Sequence, residues 1–98
     1  MKEISTEELQ QKIEAGETLF LVDVREDDEV AAGIIPEAVH IRMGDIPSKL
    51  DFFSEDNEYI FICRSGGRSG NVCEYLSEQG FNVTNVVGGM LAWEGETK

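Results

Sequence analysis

One cysteine of this chain lies in a setting that favours chemistry at its sulfur. Cys63 follows the apolar, β-prone residues 58–62 and opens the segment Cys-Arg-Ser-Gly-Gly-Arg-Ser, residues 63–69. Residues 69–79 then have the pattern of a helix, which Gly80 closes. Cys63 is therefore predicted at the carboxyl end of a buried strand, in a tight loop that leads into a helix. Open α/β sheets bind their ligands at this edge.

Three features of the loop favour a thiolate over a thiol. The Gly-Gly pair allows the chain to curl, so that the backbone N–H groups of residues 64–69 converge on one point. The N-terminus of the following helix and two arginines add positive charge, and the same groups would hold an anion. We therefore identify Cys63 as a candidate nucleophile, and as its candidate substrate-binding loop Arg64, Ser65, Gly66, Gly67, Arg68 and Ser69. A buried, inert cysteine is the alternative interpretation.

The rest of the chain alternates strand and helix patterns. Ser5 and Glu8 form a capping box that begins a helix, which ends at Gly16. Strands are predicted at residues 18–22, 38–41, 59–62 and 83–87, and helices at residues 26–32, 44–50, 69–79 and 88–93. This alternation is typical of βαβ units, so we predict an α/β fold with a mostly parallel sheet.

Composition limits the partners. The 98 residues are expected to form a single domain, residues 1–98. The net charge of −12 argues against nucleic acid and against anionic membranes as partners. We find neither a secretory signal pattern nor an apolar run of membrane-spanning length, and we expect a cytoplasmic protein with two reduced cysteines. Two cysteines without histidine partners do not predict a zinc site.

Four segments together resemble the rhodanese-like sulfurtransferase family over nearly the whole chain. They are the cysteine loop, the strand end Leu-Val-Asp-Val-Arg-Glu at 21–26, Gly-Ile-Ile-Pro-Glu-Ala at 33–38, and Val-Gly-Gly-Met-Leu-Ala-Trp at 87–93. Ile34 and Glu37 replace the usual His and Gly of the third segment. The resemblance implies a three-layer fold, in which helices cover both faces of a mostly parallel five-stranded sheet.

The resemblance also implies an activity. Cys63 would attack the outer sulfur of thiosulfate or of a persulfide donor and become a persulfide. A thiophilic acceptor, cyanide in an assay and a thiol or protein thiol in cells, would then take the sulfur. Loop amides would stabilise the persulfide, and Arg64 or Arg68 would hold the sulfonate end of thiosulfate. No cofactor and no metal is required.

Two rival functions use similar parts. Cysteine-dependent phosphatases and arsenate reductases separate Cys from Arg by five residues, whereas four residues separate Cys63 from Arg68. The shorter loop favours sulfur over a tetrahedral phosphate. A non-catalytic or partner-dependent sulfur-carrier or binding module is the other rival, although inactive members of the family typically lose the cysteine.

Other residues receive mainly structural interpretations. Asp23 and Arg25 end a strand near the same sheet edge, so Asp23 is expected to support the cysteine loop, for example by pairing with Arg68, or to form a structural ion pair. Cys73 lies on an apolar helix stripe and is predicted to be a core cysteine. His40, the only histidine, is predicted to be a surface or edge residue rather than a base for Cys63.

Overall fold

A five-stranded, entirely parallel sheet organises the molecule, which a computed structural model describes over residues 1–98. The strands are β1 (Lys2–Ile4), β2 (Leu21–Asp23), β3 (Ala38–His40), β4 (Glu58–Ile62) and β5 (Asn82–Val86). Their order across the sheet is β1-β5-β4-β2-β3. The predicted α/β class and parallel sheet are confirmed, and β4, which precedes Cys63, occupies the centre.

The edge strand β1 was missed by the sequence patterns, which predicted only four strands. Its residues Lys-Glu-Ile are too few and too charged to show apolar alternation, and only Ile4 is partly buried. β1 pairs with β5 in register from Lys2–Thr84 to Ile4–Val86, so pairing with a buried neighbour creates this strand.

Helices occupy both sides of the sheet, as expected. They are α1 (Thr6–Glu14), α2 (Asp27–Ala31), α3 (Gly67–Glu78) and α4 (Gly89–Ala92). The predicted capping box at Ser5 and Glu8 is present at the start of α1. The segment predicted as a helix over residues 44–50 is instead a 3₁₀ segment, Met43–Phe52, which contains Pro47 and departs from helical geometry at Lys49. No helix combines the length and the apolar character needed to cross a bilayer.

Side-chain alternation along β4 creates two cores, one on each face of the sheet. Tyr59, Phe61 and Cys63 point to one face, where they join buried residues of α3. Ile60 and Ile62 point to the other face, where they meet Leu9 of α1. Cys63 therefore lies on the same face of the sheet as Tyr59 and Phe61, and its sulfur lies beneath the loop that follows.

A buried ion pair holds the end of β2. Asp23 is fully buried, and its carboxylate accepts hydrogen bonds of 2.9–3.0 Å from the guanidinium and backbone N–H of Arg25. The Arg25 guanidinium also donates to the carbonyl of Gly33 at 2.7 Å and to that of Glu29 at 3.4 Å. Arg25 thereby ties the strand end to the middle of α2 and to the turn that follows this helix.

Replacing Arg25 tests the importance of this pair. In Arg25→Met the Asp23 carboxylate would stay buried without its partner, so we expect a loss of about 3–5 kcal/mol in the free energy of unfolding, measured with urea. Lys2→Met is the matched control, because the Lys2–Glu58 pair is exposed and its loss is expected to cost less than about 1 kcal/mol. Equal costs for the two variants would contradict the assignment.

Candidate active site

The cysteine loop leaves the carboxyl end of β4 and turns directly into α3. Gly66 makes the turn with φ +106°, a left-handed conformation that disfavours any side chain. α3 begins at Gly67, two residues before the predicted start, so the second half of the loop already belongs to the first helical turn. The predicted placement of Cys63 between a strand and a helix N-terminus is confirmed.

Hydrogen-bond donors surround the sulfur of Cys63. The backbone N–H of Gly66 donates to Sγ at 3.1 Å, and the Ser69 hydroxyl lies 3.3 Å from Sγ. Burial of Cys63 would raise the pKa of its thiol, but hydrogen bonds from the Ser69 hydroxyl and from the N–H groups of Ser69, Gly66 and Ser65 outweigh it. The pKa of Cys63 is therefore lowered from its ordinary value, as a nucleophile requires.

The two loop arginines occupy different environments. Arg68 forms a two-point salt bridge with Glu29 of α2, with Nη1–Oε1 and Nη2–Oε2 distances of 2.6 and 2.8 Å. This pairing lowers the pKa of Glu29 to about 2. Of the two alternatives for Asp23, pairing with Arg68 is wrong and a structural ion pair is confirmed, because Asp23 is held by Arg25. Arg64 and Ser65 point towards solvent at the rim of the loop.

Asp23 and Arg25 nevertheless connect to the loop through α2. Arg25 holds the backbone of α2 at Glu29, and the Glu29 side chain holds Arg68. Glu29 was not predictable from the sequence, since its acidic segment has no spacing signal that links it to a residue 39 positions later.

Asn85 of β5 is a second residue at the site that was not predicted from the sequence. Its side chain is buried, with 5% of the residue exposed, and it faces the loop from beneath. Its Oδ1 lies 2.6 Å from the Ser69 hydroxyl, and its Nδ2 donates to the carbonyl of Gly66 at 3.2 Å. The sequence offers no signal for it, because β5 reads Asn-Val-Thr-Asn-Val and Asn85 is one of three polar residues in the strand.

The second Gly-Gly pair supports the loop from below. Gly88 and Gly89 have φ values of +87° and +56° and form the predicted strand-to-helix turn. A Cβ on Gly89 would lie 2.6 Å from the carbonyl oxygen of Arg64. Two N–H groups in the first turn of α4, from Met90 and Leu91, donate to the carbonyls of Cys63 and Arg64, each at 2.9 Å. This turn therefore fixes the backbone of the cysteine itself.

Cys73 and His40 lie outside the loop. Cys73 is fully buried in the core of α3, and burial raises the pKa of its thiol to about 12, as expected for a core cysteine. His40, on the edge strand β3, places Nε2 2.7 Å from the carbonyl of Arg25. A carbonyl only accepts, so Nε2 carries the proton in this contact. The prediction of a satisfied edge histidine is confirmed.

Comparison with known proteins agrees with this geometry. The family model described as "Rhodanese-like domain" matches residues 5–96. A Bacillus subtilis protein named "Putative sulfurtransferase YtwF" is 68% identical over 98 residues, which cover all of this chain and 95% of that protein. An Allochromatium vinosum protein named "Sulfurtransferase" is 39% identical over 95% of this chain and 88% of its own length.

Two further relatives extend the comparison. A B. subtilis protein named "Putative sulfur carrier protein YrkF" is 40% identical over 98% of this chain, which spans only 52% of that protein. The crystal structure of a rhodanese-like domain protein from Staphylococcus aureus has a TM-score of 0.92 and 44% identity, over 98% of this chain and 94% of its own.

Gly89→Ala tests the support beneath the loop. The new Cβ would collide with backbone carbonyls of residues 63 and 64, which cannot rotate away. We expect a loss of about 1–3 kcal/mol in the free energy of unfolding and slower alkylation of Cys63 at neutral pH. Gly44→Ala is the control, because a Cβ there meets nothing within 4 Å. An unchanged alkylation rate in Gly89→Ala would contradict this role.

Glu29→Gln tests the salt bridge through its pH dependence. Because the pKa of Glu29 is lowered from 4.5 to about 2 on folding, its ionisation stabilises the fold above pH 4.5, and this contribution is lost as the pH falls towards 2. Glu29→Gln should therefore be less stable at neutral pH and lose less stability on acidification over that range. Thermal melts across this pH range measure the stability of each variant. Asp28→Asn is the control, because Asp28 is the exposed neighbour of Glu29. If Glu29→Gln lost as much stability on acidification as the wild type, the Glu29–Arg68 salt bridge would be excluded as the cause.

Proposed function

This chain belongs to the rhodanese-like domain family, and we propose that it is a sulfurtransferase that carries sulfane sulfur as a persulfide on Cys63. Relatives with sulfurtransferase names support transferase activity in general. The single observation that carries the specific proposal is the set of donors around the Cys63 sulfur, from the Gly66 N–H at 3.1 Å and the Ser69 hydroxyl at 3.3 Å.

The donors favour an anionic sulfur without a separate base. The only histidine is bound to the carbonyl of Arg25, and the loop itself lowers the pKa of Cys63. Fixed N–H donors are well suited to a persulfide, whose negative charge lies one S–S bond further out than that of the thiolate. Each hydrogen bond to a charged group contributes about 1.5–3 kcal/mol, so a few such bonds dominate the energetics of the site.

The reaction follows from this arrangement in two steps. The Cys63 thiolate attacks the outer sulfur of thiosulfate, a new S–S bond forms, and sulfite leaves with the electron pair of the broken bond. A persulfide donor would react in the same way and release its thiolate. In the second step a thiolate or cyanide attacks the outer sulfur of the Cys63 persulfide, which restores the Cys63 thiolate and yields a new persulfide or thiocyanate.

The charges of the loop favour Arg64 over Arg68 as the residue that would bind the sulfonate end of thiosulfate. Arg68 already pairs at two points with Glu29, so much of its charge is neutralised within the protein. Arg64 lies exposed at the rim of the loop, where an oxyanion can reach it. Arg68 is then best regarded as a support that holds α3 and the loop against α2.

A sulfur carrier is the second candidate, favoured by the 40% identical relative that is named a putative sulfur carrier protein. Such a carrier would hold the same Cys63 persulfide but deliver it only to a particular protein thiol. It would therefore be loaded by a donor and fail to produce thiocyanate with free cyanide.

Cys63→Ser tests the nucleophile. We expect the variant to fold and to lose all thiosulfate:cyanide sulfurtransfer, because serine cannot form a persulfide. Cys73→Ala is the matched control and should retain activity, with a stability cost of about 1 kcal/mol or more from the lost core packing. Thiocyanate production by folded Cys63→Ser would refute the proposal.

Loop length tests the choice of sulfur over phosphate. The wild type, with four residues between Cys63 and Arg68, is expected to turn over thiosulfate and not an aryl phosphate. Inserting one glycine after Gly66 gives the five-residue spacing of phosphatase loops, so sulfurtransfer should fall and binding of phosphate or arsenate should rise. The measurement is kcat/KM for both substrates. A wild-type preference for the phosphate would overturn the sulfurtransferase assignment.

A further inference from the structure

The Ser69 hydroxyl lies within reach of three acceptors but has only one proton to donate. Its oxygen is 2.6 Å from Oδ1 of Asn85, 3.3 Å from the carbonyl oxygen of Gly66 and 3.3 Å from Sγ of Cys63. Serine offers one O–H donor and two lone pairs. Ser69 is fully buried, so no solvent molecule can relieve the competition. The three neighbours must therefore share one proton.

The orientation of the Asn85 amide is fixed by its other contact. Nδ2 lies 3.2 Å from the Gly66 carbonyl, which only accepts. The reversed amide would place two oxygens against each other at that distance. Oδ1 therefore faces Ser69 and can only accept from it.

We propose that Asn85 is a positioning residue that competes with the Cys63 sulfur for the single hydroxyl proton of Ser69. When Sγ is a thiol or is bonded to a sulfane sulfur, the Ser69 hydroxyl donates its proton to Oδ1 of Asn85 across the short contact. The buried hydroxyl then keeps a hydrogen-bond partner. When Sγ is a thiolate, the hydroxyl rotates and donates to it. Asn85 therefore stabilises the states in which Sγ is uncharged.

Asn85 has two contacts, and their distances indicate which of them affects the pKa of Cys63. The contact to Ser69, at 2.6 Å, is short, whereas the bond to Gly66 is long at 3.2 Å. The Gly66 carbonyl also accepts from the N–H of Gly70 at 3.0 Å, so it keeps one backbone hydrogen bond when Asn85 is removed. Removing Asn85 should therefore act mainly by freeing the Ser69 proton for the thiolate.

The charged and titratable groups around Cys63 are the same in every variant of the test. From the loop and α3 they are Arg64, Arg68 with its partner Glu29, and the buried thiol of Cys73. From β2 the Asp23–Arg25 pair lies beside Ile62, which precedes Cys63. α4 contributes the N–H of Met90 to the Cys63 carbonyl.

The test is the pH dependence of Cys63 alkylation by iodoacetamide, with mass spectrometry to assign the modified cysteine. We expect Ser69→Ala to raise the pKa of Cys63 by about one to two units, the size of one hydrogen bond to a charged group. We expect Asn85→Ala to lower it by about half a unit to one unit, the size of one neutral hydrogen bond. In the Ser69→Ala background, Asn85→Ala should leave the pKa unchanged, because Asn85 acts through Ser69. Two residues in contact that merely support the fold would not shift it in opposite directions.

Two further variants keep the test decisive. Asn85→Leu fills the same volume without an acceptor and replaces Asn85→Ala if the alanine variant fails to fold. Thr84→Val is the matched control, since Thr84 is equally buried on β5 but its hydroxyl lies 3.4 Å from Glu58, away from Cys63; no pKa change is expected. A raised or unchanged pKa in the Asn85 variant, or a shift that persists without Ser69, would overturn the proposal.

The inference rests on the proposed role of Cys63 as the reactive thiolate, but alkylation needs no sulfur donor. If the alkylation result agrees and sulfurtransfer is absent, the proton competition stands and the sulfurtransferase assignment fails. If sulfurtransfer is present and the pKa shifts are absent, the sulfurtransferase assignment stands and the proton competition fails.

Discussion

A sulfur anion can be held in a protein interior only where hydrogen-bond donors replace the water that burial removes, and this constraint shapes the cysteine loop. Cys63 is almost fully buried, so burial opposes its ionisation. The left-handed turn at Gly66 directs its N–H at the sulfur, and the first turn of α3 brings the Ser69 hydroxyl to the same atom. The loop therefore has to be held rigidly, since each donor acts only in this geometry.

Three neighbouring elements supply that rigidity from different sides. α4 binds the backbone carbonyls of Cys63 and Arg64 from below. Asn85 of β5 contacts Ser69 and the carbonyl of Gly66. On the third side, the Arg25 side chain connects Asp23 to α2, whose Glu29 holds Arg68. The segments at the ends of β2, β4 and β5 thus act together to hold the donors in place around the Cys63 sulfur.

Much of this could be predicted from the sequence, and the failures have physical causes. The position of Cys63 was predictable because a strand, two glycines and a helix follow one another locally. The strand β1 was not, because its pairing with β5 is its main stabilisation and leaves no local pattern. The partners of Arg68 and Ser69 were not predictable either, since Glu29 and Asn85 reach the loop only through the tertiary fold.

The most direct test of the account is whether Cys63 stores a sulfur atom. The reduced protein would be treated with thiosulfate or with a small-molecule persulfide, desalted and analysed by intact-mass and peptide mass spectrometry. The account predicts one added sulfur, located on Cys63, absent from Cys73 and removed by cyanide or a thiol. A protein that gains no sulfur from either donor, or gains it on Cys73, would contradict it.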